Sequence, residues 1–195
     1  MKKLIFTTLF LATISFSFAQ ETKWAIDKSH SNVRFAVAHM VISEVEGSFS
    51  DFNGTVTTKG DNFDNADINF TIAVNSIDTK DEKRDAHLLN EDFFDAPKYP
   101  EITFKSTKMK KVSDNKYKLT GEFTMHGVTK EITLDVKYGG TIVDPWGNTK
   151  AGFKVMGTIN RTDWGLKYNS VMDTGGLMIG EEIDLVCNVE LAMKK

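Results

Sequence analysis

The chain of 195 residues contains one cysteine, Cys187. A lone thiol excludes an internal disulfide framework, so stability has to come from a packed interior. Positive charge is not in surplus either. There are 27 Asp and Glu against 24 Lys and Arg, a formal net charge of −3, with no basic stripe. Nucleic-acid recognition needs cations that neutralise phosphates, so that class of partner is set aside. After Phe18 no apolar run is long enough to span a bilayer as a helix. The Gly-x-Ser-x-Gly elbow of serine hydrolases is missing. Four histidines, His30, His39, His87 and His126, show no His-x-x-x-His or related ligand spacing, so no metal is indicated. Repeats, low-complexity tracts and linkers are missing as well.

The start of the chain reads as a leader. Lys2-Lys3 is basic, Leu4 to Phe18 is mostly apolar, and Ser17-Phe18-Ala19 offers the small residues that a signal peptidase reads. Cleavage after Ala19 is expected, with residues 1–19 as signal peptide and 20–195 as one domain. No Cys near the cut suggests a lipid anchor. The remainder, roughly 175 residues, suits a single core. The reading is of an exported protein, periplasmic or secreted, that does not span the membrane.

Most of that remainder alternates with period two, the signature of a half-buried strand. Val33, Phe35 and Val37 share one face, as do Val45, Gly47 and Phe49. Ile68, Phe70, Ile72 and Val74 repeat the pattern, followed by Ile102 and Phe104. Tyr117 to Met125, Ile132 to Tyr138 and Phe153 to Ile159 continue it, and Cys187 falls in phase with Ile183, Leu185, Val189 and Leu191. Cys187 should therefore face inward as a small hydrophobe. Ser113 to Lys116 and His126-Gly127 read as tight turns, Asp144 to Asn148 as a longer loop, and Asn53-Gly54 as a bulge or bend.

One segment breaks the alternation. Arg84-Asp85-Ala86-His87-Leu88-Leu89-Asn90-Glu91-Asp92-Phe93-Phe94-Asp95 carries the clear helical signal. Thr79 or Asp81 could cap a helix through Leu89, with Ala86, Leu89 and Phe93 toward the core. The fold class is accordingly all-β: an antiparallel barrel of about eight strands, polar outside and apolar inside, with a short covering helix. Such a barrel either fills with side chains or holds one small ligand, and the pattern alone leaves both outcomes open. Gly47, Gly121 and Gly157 share the inward parity, where a missing side chain leaves space or bends a strand.

Several motifs occur in an order that resembles the YceI-like family, the lipocalin-like polyisoprenoid-binding proteins of bacteria. They are Trp24-Ala25-Ile26-Asp27-Lys28-Ser29-His30-Ser31, Val33-Arg34-Phe35-Ala36-Val37-Ala38-His39-Met40, Val45-Glu46-Gly47-Ser48-Phe49 and Ser76-Ile77-Asp78-Thr79. Arg84-Asp85-Ala86-His87-Leu88, Tyr99-Pro100-Glu101-Ile102-Thr103-Phe104 and Gly121-Glu122-Phe123-Thr124-Met125-His126-Gly127-Val128-Thr129-Lys130 follow. Asn160-Arg161-Thr162-Asp163-Trp164-Gly165 and Ile179-Gly180-Glu181-Glu182-Ile183 complete the set. Trp164 stands where the family often carries Phe. The resemblance implies an eight-stranded antiparallel lipocalin-like barrel, a long tunnel for an isoprenoid or similar lipid, a periplasmic or secreted location, and often a homodimer.

On this reading the ligand is an isoprenoid, quinone-like or fatty lipid, and no cofactor is called for. The expected tunnel lining is Phe35, Val37, Phe49, Phe70, Ile72, Phe104, Leu119, Phe123, Leu134, Phe153, Val155, Trp164, Met178 and Leu185, with Met40, Met125 and Met172 as adaptable filler. His39, Arg84, His87 and Arg161 are the candidates for a polar head group, because Arg and His donate to phosphate or quinone oxygens. Alternatively, Arg84, Asp85, Arg161 and Asp163 tie the helix and loops to the barrel through ion pairs. Two other functions compete with carriage or storage of a lipid. One is a lipid-modifying enzyme using His87 with Asp85 or His39; the other is a filled barrel that serves only as an interaction module.

Overall fold

The computed structural model describes residues 21–60, 62–171 and 177–194. Residues 1–19, where a signal peptide is expected, and Met172, Gly175 and Gly176 lie outside the described residues. The alternating segments form eleven antiparallel strands: β1 Glu21–Ile26, β2 Asn32–His39, β3 Ser43–Phe49, β4 Phe52–Lys59, β5 Asn62–Ala73, β6 Ile77–Asp78, β7 Glu101–Ser113, β8 Lys116–Met125, β9 Val128–Val143, β10 Thr149–Asn160 and β11 Ile179–Met193. One helix, α1 Glu82–Leu88, stands between β6 and β7.

Eleven strands make eight staves. β1 and β2 are one long strand broken at Asp27–Ser31, and β3 with β4, and β5 with β6, are broken likewise. The pairings follow that reading: β2 with β3 and β1 with β4, then β3 with β6 and β4 with β5. β5 pairs with β7, and from β7 to β11 each strand pairs with the next along the chain. β11 then closes the ring on both halves of the first stave, Leu185 opposite Phe35 and Leu191 opposite Ile26. The result is the expected closed eight-stranded antiparallel barrel with its short helix. Closure removes the sheet edges that would otherwise present unpaired backbone.

The break in the first stave is pinned by charge. Lys150 Nζ donates to Asp27 at 2.6 Å and to Glu190 at 3.1 Å, and Asp27 accepts from Ser29 N at 3.1 Å. The ammonium beside it holds the Asp27 carboxyl well below the usual carboxylate range, and the two carboxylates hold Lys150 above its own. Asp27, His30 and Glu190 converge closely enough to suggest a cation site, but the Lys150 ammonium already bridges its two carboxylates.

Asn53-Gly54 is no separate bend; it lies within β4. Two-residue turns close β7–β8 and β8–β9, and Asn115, His126 and Gly127 take the left-handed backbone such turns require (φ 59°, 50° and 73°). The His126-Gly127 turn also abuts Tyr99: a Cβ on Gly127 would sit 2.5 Å from the Tyr99 ring, and the His126 ring meets that ring edge-on at 4.6 Å.

Asp81 caps α1 through Lys83 N and Arg84 N, both at 3.0 Å. Buried Thr79 ties the helix down: it donates from its backbone to Asp85 at 2.9 Å and accepts from Arg84 Nε at 2.8 Å, while its carbonyl takes Arg84 Nη2 at 2.7 Å. Ala86, expected inside, is exposed, because the helix is shorter than its signal and turns Leu88 inward instead.

Candidate functional site

The staves define two ends. The turns after β4, β7 and β9 lie at one end, here the base. The turns after β2 and β8, the helix segment and residues 161–171 with 177–178 lie at the other, the mouth. Aromatic rings fill the base. Phe63 lies 5.3 Å from Trp24, 4.8 Å from Phe153 and 5.7 Å from Tyr138, centroid to centroid. Trp24 is fully buried, and its indole N–H is satisfied by Thr58 Oγ1 at 3.1 Å.

Midway along the barrel the packing stops. Phe35, Phe70, Leu134, Phe153, Val155, Ile183 and Leu185 face the inside of a closed sheet, yet each is only partly buried. A closely packed core would leave no accessible surface on such residues. What they border is a cavity of about 230 Å³. An apolar cavity of about 150 Å³ already stays dry and binds small hydrocarbons, so this one suits a greasy guest better than water.

Glycines help to keep the lumen clear. The Phe35 ring lies where a Cβ on Gly47 would be (2.3 Å), Phe104 lies over Gly121 (2.5 Å) and Leu134 over Gly157 (2.4 Å). These positions therefore leave no gaps of their own. They let large side chains lie flat on the wall instead of reaching across the lumen.

Of the residues expected to line a tunnel, Phe35, Val37, Phe49, Phe70, Ile72, Phe104, Leu119, Phe123, Leu134, Phe153, Val155 and Leu185 border this cavity. Trp164 and Met178 do not, which corrects the sequence-based expectation. Trp164 is buried at the mouth end, edge-on to Phe123 at 5.4 Å, with its N–H on the Phe123 carbonyl at 3.2 Å. Strand parity ends at the short 3-10 turn Arg161–Trp164, so Trp164 packs beneath the turn. Met178 belongs to the approach to β11, its carbonyl accepting from Met40 N at 2.8 Å.

The sequence reading missed Phe63, from the unrecognised start of β5, and Leu88 and Phe94, from the covering segment; all three border the cavity. Phe94 meets Phe49 edge-on at 6.3 Å. The adjacent Phe93-Phe94 pair was the signal available for them. Cys187 also borders the lumen, and burial pushes its thiol up to about 11.

The four polar candidates separate. His39, Arg84 and His87 do not reach the lumen. Arg84 is spent on Thr79, and His87 pairs with Asp92 at 2.9 Å while packing against Phe93 and Tyr168. Asp85 is held by Thr79, so it does not serve His87. Arg161 alone of the four borders the cavity. It is 3% exposed. Nε donates to the Gly180 carbonyl at 2.8 Å and Nη1 to the Leu166 carbonyl. Nη2 is shielded from solvent and has no partner among the described residues. Burial pushes the guanidinium pKa down, opposed by the exposed Glu181. Arg161 and Asp163 do not pair with each other: Asp163 pairs with Lys130 at 2.8 Å.

The YceI-like domain model matches residues 24–191. UPF0312 protein ECA1782 of Pectobacterium atrosepticum is 37% identical over 185 residues, covering 95% of this chain and 93% of the relative. The crystal structure of the Campylobacter jejuni YCEI protein aligns with a TM-score of 0.68 at 32% identity, over 81% of this chain and 90% of that one. A polyisoprenoid binding domain from Saccharophagus degradans, implicated in plant cell wall breakdown, shares the fold with a TM-score of 0.65 at 14% identity, over 88% of this chain and 98% of that one. The chain belongs to the YceI-like family.

Proposed function

We propose that this protein binds an isoprenoid-type or similar long-chain lipid in the barrel lumen, as a carrier, a store or a sequestering protein. The observation that carries the reading is the hollow middle of the barrel, where inward apolar side chains that are only partly buried border a cavity of about 230 Å³. A hydrocarbon chain binds there by desolvation, worth roughly 25 cal/mol per Å2 of apolar surface removed from water, and needs no catalytic group. The polyisoprenoid binding domain of Saccharophagus degradans, alike in fold, supports the same class of guest.

The length of the apolar wall sets a scale. From Arg161 at the mouth to Phe153 near the base, the inward row of β10 runs eight residues, roughly 26 Å along a strand and roughly 20 Å along the axis of a barrel with strands tilted by about 40°. A zigzag chain of ~1.5 Å bonds advances ~1.25 Å per carbon, so a tail of about 16 carbons, or about four isoprene units, spans it. Export completes the proposal. The basic start, the apolar run and Ala19 favour cleavage and a place outside the cytoplasm.

Mass spectrometry of lipid extracted from the protein, isolated without added lipid from its envelope and medium fractions, tests both parts. The expected result is a stoichiometric apolar-tailed lipid on a chain beginning at Gln20. Repeated isolation without any lipid, together with no saturable uptake of prenyl, quinone or fatty compounds, would refute the binding reading.

A further inference from the structure

The inward row of β10 runs Phe153, Val155, Gly157, Ile159 and, two residues on, Arg161. Asn160 keeps extended backbone (φ −90°, ψ 114°), so the alternation persists through the end of the strand and delivers a guanidinium to the mouth end of an otherwise greasy row. The two carbonyl bonds fix the plane of that group but supply no negative charge. No carboxylate pairs with it among the described residues, and Nη2 is left without an acceptor. A buried polar N–H without a partner is costly, and more so on a charged group. The arrangement lacks an anionic oxygen, which a guanidinium takes up with charge-assisted and often paired hydrogen bonds.

We propose that Arg161 receives an acidic head group, carboxylate or phosphate, on the lipid whose tail fills the lumen. The inference rests on the lumen reading and adds a direction and a chemical class to it. The head lies beneath the covering segment at Leu88, Phe93 and Phe94, and the tail runs toward Phe63 and Phe153. Neutral tails enter by the same desolvation, but they leave Nη2 unpaired. Leu166 and Gly180, whose carbonyls hold Nε and Nη1, position the guanidinium and do not contact the ligand in this scheme.

The test compares three ligands with one tail: hexadecanoate, hexadecyl phosphate and hexadecanol. Binding to delipidated full-length protein at pH 8 is measured by displacement of a fluorescent fatty probe. The wild type should prefer both anions over the alcohol by at least tenfold. Arg161→Gln should erase that preference while leaving hexadecanol affinity within a factor of three. Arg161→Lys, which keeps the charge, should retain part of it. Carboxylate and phosphate are separated by their own ratio in the wild type. Equal affinity of the wild type for acid and alcohol would overturn the proposal and leave the lumen reading standing. An undiminished preference in folded Arg161→Gln would overturn it too. If none of the three ligands binds, the lumen reading itself fails and takes this inference with it. Should Arg161→Gln not fold, as judged by circular dichroism, the wild-type comparison decides alone.

Discussion

Val155→Phe separates a hollow barrel from a filled one by the sign of its effect. Val155 sits midway along β10, opposite Val136 and Cys187, and borders the lumen. The substitution adds four side-chain carbons. At ~0.8 kcal/mol per buried carbon the gain approaches ~3 kcal/mol if the ring settles in the empty space. Independently, an unfilled apolar void costs about 24 cal/mol per Å³. For a cavity of about 230 Å³ that is a ceiling of roughly 5.5 kcal/mol, which one ring would recover in part. The expected outcome for lipid-free protein is a stabilisation of about 1–3 kcal/mol, or a Tm higher by roughly 3–10 °C for a chain of this size. Lipid has to be stripped first, because a bound ligand raises Tm by mass action. Paired denaturant titrations of wild type and variant give the number, and the variant should take up fatty probes at least tenfold more weakly. A loss of about 1–3 kcal/mol, the ordinary consequence of overpacking a dense core, would refute the reasoning.

Three further outcomes follow from particular residues. Val41, β-branched and 80% exposed, holds φ 63°, so Val41→Gly should remove left-handed strain at no cost in packing and stabilise the protein by about 1–2 kcal/mol in urea titrations; unchanged stability would speak against strain in that turn. The Cys187 thiol, buried and raised to about 11, should react with an anionic aromatic disulfide at pH 8 at least a hundredfold more slowly than free cysteine, and more slowly again with lipid bound; reaction at the free-thiol rate would place it outside the wall. Because the Asp27 carboxyl is held below its unfolded value, the clamp contributes stability that is full above about pH 4 and fades as pH falls through the lower folded value. Lys150→Met should therefore cost about 1–2 kcal/mol at pH 7 and flatten the acid limb of the stability profile between about pH 4 and 2; an unchanged acid limb would show that the clamp is not its source.

Much of this architecture was legible because period two is a strong signal when one face is apolar and the other polar. Val33, Phe35 and Val37, or Phe153, Val155 and Ile159, could point only one way once the sheet closed. Threonine-rich β4 was harder to read. Thr55, Thr57 and Thr58 blur the alternation, and Asn53-Gly54 has the composition of a bend although it lies inside the strand. The broken staves hid for a related reason: Asp27 and Lys150 are far apart in sequence, and only the barrel brings them together. In the covering segment the helix is so short that turn geometry overrides its period, which is why Leu88 points inward and Ala86 does not. Parity assigns a direction but no depth, so the alternation that placed Phe35 and Leu134 inside was silent on whether they meet. The glycine pattern carried part of that answer, since Gly47, Gly121 and Gly157 stand beside the very side chains that lie flat. Arg161 was in register with its row all along. Its charge invited a surface ion pair, whereas its phase with Ile159 gave its place in the wall.

The most direct test of the central claim is anomalous diffraction from crystals of the protein bound to a hexadecanoate brominated at its terminal carbon. The account requires one bromine peak inside the barrel, at the base near Phe63 and Phe153. A bromine on the outer surface, or a saturated complex with its tail excluded from the lumen, would contradict it.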